Sequence, residues 1–185
     1  MANITAAAVN ELRKRTGVGM MDCKKALVEC DGDMDKAIDY LREKGQKLAA
    51  KRADRDASEG AVLATVNADK TFAAVIMMNC ETDFVAKNED FVAFTREVLQ
   101  TAVDAKAKSL EEVMALTING LSVETMIVEQ VAKIGEKITL SHYYPIEAVA
   151  TYAYVHPGNR MASVVGLSKA GYDETYYPVI QGATI

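Results

Sequence analysis

The side chains best equipped for chemistry gather at one place in this chain. An apolar run fit for a buried strand, Thr71–Met78, gives way to Asn79, Cys80, Glu81 and Thr82, then to Asp83-Phe84-Val85, and a helical period starts afresh at Asn88. The polar stretch therefore reads as a corner between strand and helix, and such corners lie at the surface as a rule. Cys80 with either histidine, His142 or His156, could in principle form a thiol nucleophile pair. Nothing marks an oxyanion hole, and a small residue at a strand end accounts for Cys80, so no enzyme is expected. Phe84 has two readings from spacing alone. It is a plug for the chain's own core under the next helix, or an apolar tool aimed at another molecule.

Other candidate sites fail on their details. Gly17-Val18-Gly19 lacks the Lys-Ser/Thr pair of a phosphate loop and the third glycine of a dinucleotide fingerprint. Asp31-Gly32-Asp33-Met34-Asp35 opens like a calcium loop, but its sixth position is Lys36 and its twelfth is Arg42. Cys23 and Cys30 share a helix face without a second ligand pair, which makes them small core residues rather than a metal site. Neither histidine stands at a metal spacing from a cysteine or an acid cluster. No metal and no cofactor are expected.

Composition narrows the classes further. About half of the 185 residues are apolar, enough for a real core in one large or two small domains. A net charge of −5 argues against general nucleic-acid binding, which needs a basic field. No apolar run reaches membrane-spanning length. The start, Met-Ala-Asn-Ile-Thr, has no basic and then apolar signal segment, so a cytoplasmic location is expected, with three free thiols and an idle sequon at Asn3-Ile4-Thr5.

The elements around the corner follow from caps and periods. Thr5 caps a first helix that Gly17 stops, Met20–Cys30 forms a second, and Asp33 caps a third that Gly45 closes. Three short helices joined by glycine-containing turns make a module like a ubiquitin-associated domain. Met20 and Met21 cannot both face its core, because neighbours on a helix point about 100° apart. One of them is left as a pliable docking surface. Residues 46–55 form a basic connecting helix or strap, and a boundary falls near residue 55. Strands Ala61–Val66 and Thr71–Met78 follow, joined by a turn at 67–70. An amphipathic helix from Phe91 to Val103 comes next, then helices capped by Ser109 and Ser122, the second running to Gly135, and a strand over Lys137–Tyr144. Residues 147–155 and 161–167 echo the first hairpin across the breaker turn His156-Pro157-Gly158-Asn159-Arg160. The expected class is α+β: residues 1–55 a three-helix docking module and strap, 56–140 a first core subdomain, and 141–185 an incomplete, duplicated second one.

Thr82-Asp83-Phe84-Val85 after Asn79-Cys80-Glu81 resembles the signature of the elongation factor Ts family, exchange partners of elongation factor Tu. Leu12-Arg13-Lys14-Arg15-Thr16-Gly17-Val18-Gly19-Met20-Met21-Asp22-Cys23-Lys24-Lys25-Ala26-Leu27 is similar to that family's N-terminal motif, with Val18 where Ala is usual. The resemblance is close over 1–100, looser over 131–167, and absent over 168–185. It implies guanine-nucleotide exchange on elongation factor Tu in translation, without direct nucleic-acid or membrane contact. It implies that Leu12, Arg13, Met20 and Met21 grip the partner's GTP-binding domain. Phe84 would wedge between partner helices near the switch region, Asp83 would contact the same surface, Thr82 and Val85 would fix the corner, and the support of the partner's Mg²⁺ would shift. Tyr154, His156 and Arg160 match a Tyr-x-His-x-x-x-Arg-like turn that leans on a β-domain of the partner, although Pro157 lengthens the turn here. Ser168-Lys169-Ala170-Gly171 stands where a second corner would be, and family members continue with further helices. The expectation is thus a truncated chain, or one whose second sheet pairs with itself as a homodimer or with another protein. The competing reading is a helical adaptor that binds some other protein without acting on a nucleotide.

Overall fold

The computed structural model describes residues 4–171 and is of the α+β class, with helices at the N-terminus and antiparallel sheets after them. Contacts divide the described residues into two compact units, 4–56 with 125–138, and 57–124 with 139–171.

In the first unit the caps act as the sequence suggests. Thr5 Oγ1 accepts the Ala8 N–H at 3.2 Å and opens α1 (Ala6–Thr16); Gly17, at φ 68°, closes it by donating to the Arg13 carbonyl at 2.7 Å. Next comes α2 (Met20–Glu29). Asp33 then receives the N–H groups of Asp35 and Lys36 and starts α3 (Met34–Lys51). Val9, Leu12, Cys23, Ala26, Leu27, Ala37 and Leu41 are buried together as the core of this module. Gly45 does not end α3. The helix runs on to Lys51, and a Cβ at 45 would meet the Ala132 Cβ at 3.0 Å and the Val128 carbonyl at 3.4 Å. Glycine is used there for close helix packing, not for a turn, and half of the expected strap is regular helix.

The second unit begins with a hairpin, β1 (Glu59–Val66) and β2 (Phe72–Cys80), in register from Glu59–Cys80 to Val66–Ala73. Asn67 Oδ1 accepts from both Thr71 and Phe72 at 3.0 Å and ties off its turn. Contrary to the expected corner, Asn79 and Cys80 belong to the strand. Both are buried, because Glu59 and Gly60 lie opposite and extend the ladder by two residues. After β2 come α4 (Asp83–Ala86), a turn of helix that periodicity did not foresee, and α5 (Glu89–Asp104), capped by Asn88. Phe91, Phe94, Val98, Leu99, Ala102 and Val103 bury the apolar face of α5, which packs on β1 and β2. Ser109 caps α6 (Leu110–Ala115), and β3 (Thr117–Ile118) and β4 (Leu121–Ser122) form a small ribbon.

The next helix, α7 (Val123–Ile134), was assigned by patterning to the first core subdomain. From Thr125 onward it groups instead with the N-terminal helices, where Arg42 Nε bonds Glu129 Oε1 at 2.8 Å. The chain then returns to the second unit as β5 (Thr139–Glu147), antiparallel to β2, giving the sheet order β1-β2-β5. A second hairpin, β6 (Ala150–Val155) and β7 (Ala162–Leu167), forms its own two-stranded sheet and packs against β1 and β2. Every residue of β7 is partly exposed. The tail from Tyr172 lies outside the described residues.

Candidate partner-binding site

The corner is built on the end of β2. Its last residue, Cys80, is buried, and its Sγ donates to the Thr82 carbonyl at 3.2 Å; the thiol ties strand to corner and is no exposed nucleophile. Thr82 leaves the strand with extended backbone, φ −124° and ψ 153°, and its hydroxyl accepts the Val85 N–H at 3.5 Å, which caps α4. Ala86 is buried and pins this turn down, while Val85 is half-buried. The four-residue helix then has one way to point its second side chain. Phe84 is 82% exposed. Between the two readings of this residue, the core plug is ruled out.

Asp83 stands beside the ring, with Lys87 Nζ 2.7 Å from its Oδ2. Its carboxyl is held below the usual carboxylate range by the Lys87 hydrogen bond, against some desolvation, with further lowering from the charges of Lys87 and Arg160. Asp83 therefore presents a fixed negative charge next to an apolar ring.

Arg160 reaches this neighbourhood from the turn of the second hairpin. Its Nη2 bonds Glu59 Oε2 at 2.8 Å, and Glu59 is the ladder partner of Cys80. Within the same turn the Val62 N–H donates to the Asn159 carbonyl at 2.8 Å, so the turn is fastened to β1. Tyr154 and His156 join at its rim through the tyrosine hydroxyl and Nδ1, 3.0 Å apart, with His156 exposed. The fold thus brings Thr82, Asp83, Phe84 and Val85 into the same unit as Tyr154, His156 and Arg160. Lys87 and Glu59 support the arrangement and were not foreseen, although the four-residue spacing of Asp83 and Lys87 was legible as an ion pair on one helix face.

The remaining candidates lie in the first unit. Met20 and Met21 are both exposed, at 49% and 65%, where only one was expected. The module core begins one turn later at Cys23, so the first turn of α2 clears it altogether. Arg13 is exposed in the last turn of α1. Leu12 corrects the expectation: it is fully buried in the module core and offers no surface to a partner. No group of three or more His, Cys, Asp or Glu residues that could hold a metal occurs among the described residues. Among them too, no helix is long and apolar enough to cross a membrane.

Comparison with known proteins bears directly on this corner. A family model described as elongation factor TS matches residues 81–179, starting beside the Thr82 cap, and one described as the N-terminal part of mitochondrial elongation factor Ts matches residues 1–49. The chain belongs to the elongation factor Ts family. The elongation factor Ts of Christiangramia forsetii is 54% identical over 170 residues, covering 92% of this chain and 61% of that relative. The elongation factor Ts of Flavobacterium johnsoniae is 50% identical over 168 residues, or 91% and 52% of the two chains. That of Rhodopirellula baltica is 47% identical over 174 residues, or 94% and 53%. The chain accordingly spans between half and two thirds of the length of these elongation factor Ts relatives. The two matched stretches carry the corner in one case and the methionine pair in the other.

Proposed function

We propose that this chain is a guanine-nucleotide exchange factor for elongation factor Tu in translation elongation, acting as a binding protein and not as an enzyme. The observation that carries the reading is the Phe84 ring, kept in water on a capped turn whose far side is anchored in the core. An exposed phenyl ring holds apolar area of about 150 Å² or more in reserve. Its burial in a partner, at about 25 cal/mol per Å², can offset the cost of prising a packed site open.

Exchange requires coupling, not contact with the nucleotide. The factor must bind the nucleotide-free partner more tightly than the loaded one, and by linkage the nucleotide then expels the factor by the same ratio. A GTP-binding protein holds its nucleotide through phosphate-loop amides and a Mg²⁺ that bridges the phosphates. A ring entering between helices near the switch region displaces the metal's supports, and GDP loses that share of its hold. In this reading Phe84 is the wedge and Asp83 orients it, while the Thr82 cap and Val85 keep the turn from yielding. Arg13, Met20 and Met21 grip the GTP-binding domain, and Tyr154, His156 and Arg160 steady the second hairpin against another domain. Leu12 serves by holding α1 and α2 in place.

The test is release of fluorescent GDP from elongation factor Tu after addition of this chain and excess unlabelled nucleotide. Acceleration, together with expulsion of the chain by GDP and Mg²⁺, is the expected result. Stable capture without any effect of nucleotide would assign the chain to the adaptor class, and no capture would remove elongation factor Tu as its partner.

A further inference from the structure

Arg96 belongs to none of the contacts proposed so far. It sits midway along α5 and is exposed, and the positions three and four residues away on either side are Val92, Ala93, Leu99 and Gln100, none of them acidic. Among the described residues no ion pair or hydrogen bond engages its guanidinium. The side chain lines a groove of about 350 Å³ between α5, β1 and the turn of the second hairpin. Leu63 and Leu99, both buried, lie beneath it, Ala64 and Val155 leave apolar surface accessible, and the exposed His156 and Pro157 form the opposite wall. The Gln100 amide is held in place by Thr65 and Asp104. His156 uses Nδ1 toward Tyr154, which leaves Nε2 for another molecule.

We propose that this groove takes an acidic side chain, Asp or Glu, on an extended segment of the partner protein, with Arg96 as its anchor. The proposal rests on the exchange reading above and adds to it a contact that decides partner specificity. A guanidinium presents paired donors that match a carboxylate bidentately, and it is weakly hydrated, so it gives up water readily. The Arg96 guanidinium, unengaged among the described residues, is complementary to acid, not to base. The lining selects between sources of that acid. A free phosphate ion would gain nothing from the apolar surface that Ala64, Val155 and Pro157 leave accessible, whereas a peptide carboxylate brings apolar neighbours that bury against it.

The experiment is calorimetric titration of nucleotide-free elongation factor Tu with the unmutated chain and with Arg96→Glu, Arg96→Ala and Arg96→Lys. Because no described residue pairs with Arg96, thermal melting of all three variants should match the unmutated chain. Arg96→Glu should weaken binding at least about tenfold, Arg96→Ala less, and Arg96→Lys least, with a shallower dependence on salt for the first two. Binding within about twofold for all three overturns this inference and leaves the exchange reading standing. If the unmutated chain does not bind elongation factor Tu, both fall together. A parallel titration with inorganic phosphate, followed by NMR at Arg96 and His156, covers the other source. Saturable shifts there that are lost in Arg96→Glu would assign the groove to a free ion and overturn the peptide.

Discussion

Lys87 Nζ lies 2.7 Å from Asp83 Oδ2, four residues along the same turn, and the ring of Phe84 stands in solvent beside that pair. The ion pair fixes the charge and direction of Asp83 without tying it to the rest of the sheet. The Asp83 carboxyl titrates below its ordinary value, chiefly through the Lys87 hydrogen bond. A depressed folded value means stabilisation that is present above the unfolded value and fades as pH falls through the folded one. Solvent reaches both groups, so the contribution to stability is small. In Lys87→Ala the Asp83 carboxyl, followed by carbon NMR, should titrate at higher pH, with melting unchanged at neutral pH. An unmoved titration would show that Lys87 does not set this charge.

Phe84→Ala should reduce stimulated GDP release by about thirtyfold or more, the size of effect expected when a central aromatic anchor of an interface is truncated. A ring 82% exposed contributes little to folding, and melting should not change. An undiminished rate would dismiss the wedge.

Leu12 and Met21 separate scaffold from contact. Leu12→Ala empties a fully buried core position and should destabilise the first unit by about 2–5 kcal/mol, seen as a loss of melting temperature. Met21→Asp changes a residue 65% exposed; it should leave melting alone and weaken capture of elongation factor Tu. The reverse pattern would reverse the assignment.

Tyr143 offers an alkaline marker of the second unit. Its hydroxyl donates to the Ala107 carbonyl at 3.0 Å, and desolvation first, with the Glu112 charge second, pushes its pKa up to about 12. A raised folded value means that the stabilisation is intact below the unfolded value and is lost as pH rises through the folded one. Alkaline difference absorbance should show a phenol ionising near the upper end of the range, absent from Tyr143→Phe. Disappearance of no such phase on that substitution would place the hydroxyl in water.

Much of this fold was legible because local chemistry and tertiary packing agree. Thr5, Gly17, Asp33, Asn88 and Ser109 act at the helix ends where their side chains or backbone freedom predict. The strands failed at their ends, since whether Asn79 and Cys80 continue β2 depends on Glu59 and Gly60, twenty residues earlier in the chain. Gly45 misled for a related reason. Only the position of α7 shows that its missing side chain makes room for Ala132. At the corner, residue types flagged the stretch, but exposure of Phe84 needed the buried Ala86 and the Thr82 cap to be seen together. Arg96 stayed hidden because a lone basic residue on a helix surface has no pattern, and the groove beside it is closed by a turn sixty residues away.

Gly60 sets a limit on how this chain can vary. A methyl group there would sit 2.2 Å from the Met78 carbonyl oxygen and 2.9 Å from the Asn79 Cα, both of them backbone atoms that no rotamer change can move aside. In a library of all substitutions, position 60 should accept nothing else. A lesion at that spot would disrupt the corner from behind, with Phe84, Asp83 and every proposed docking residue still spelled correctly.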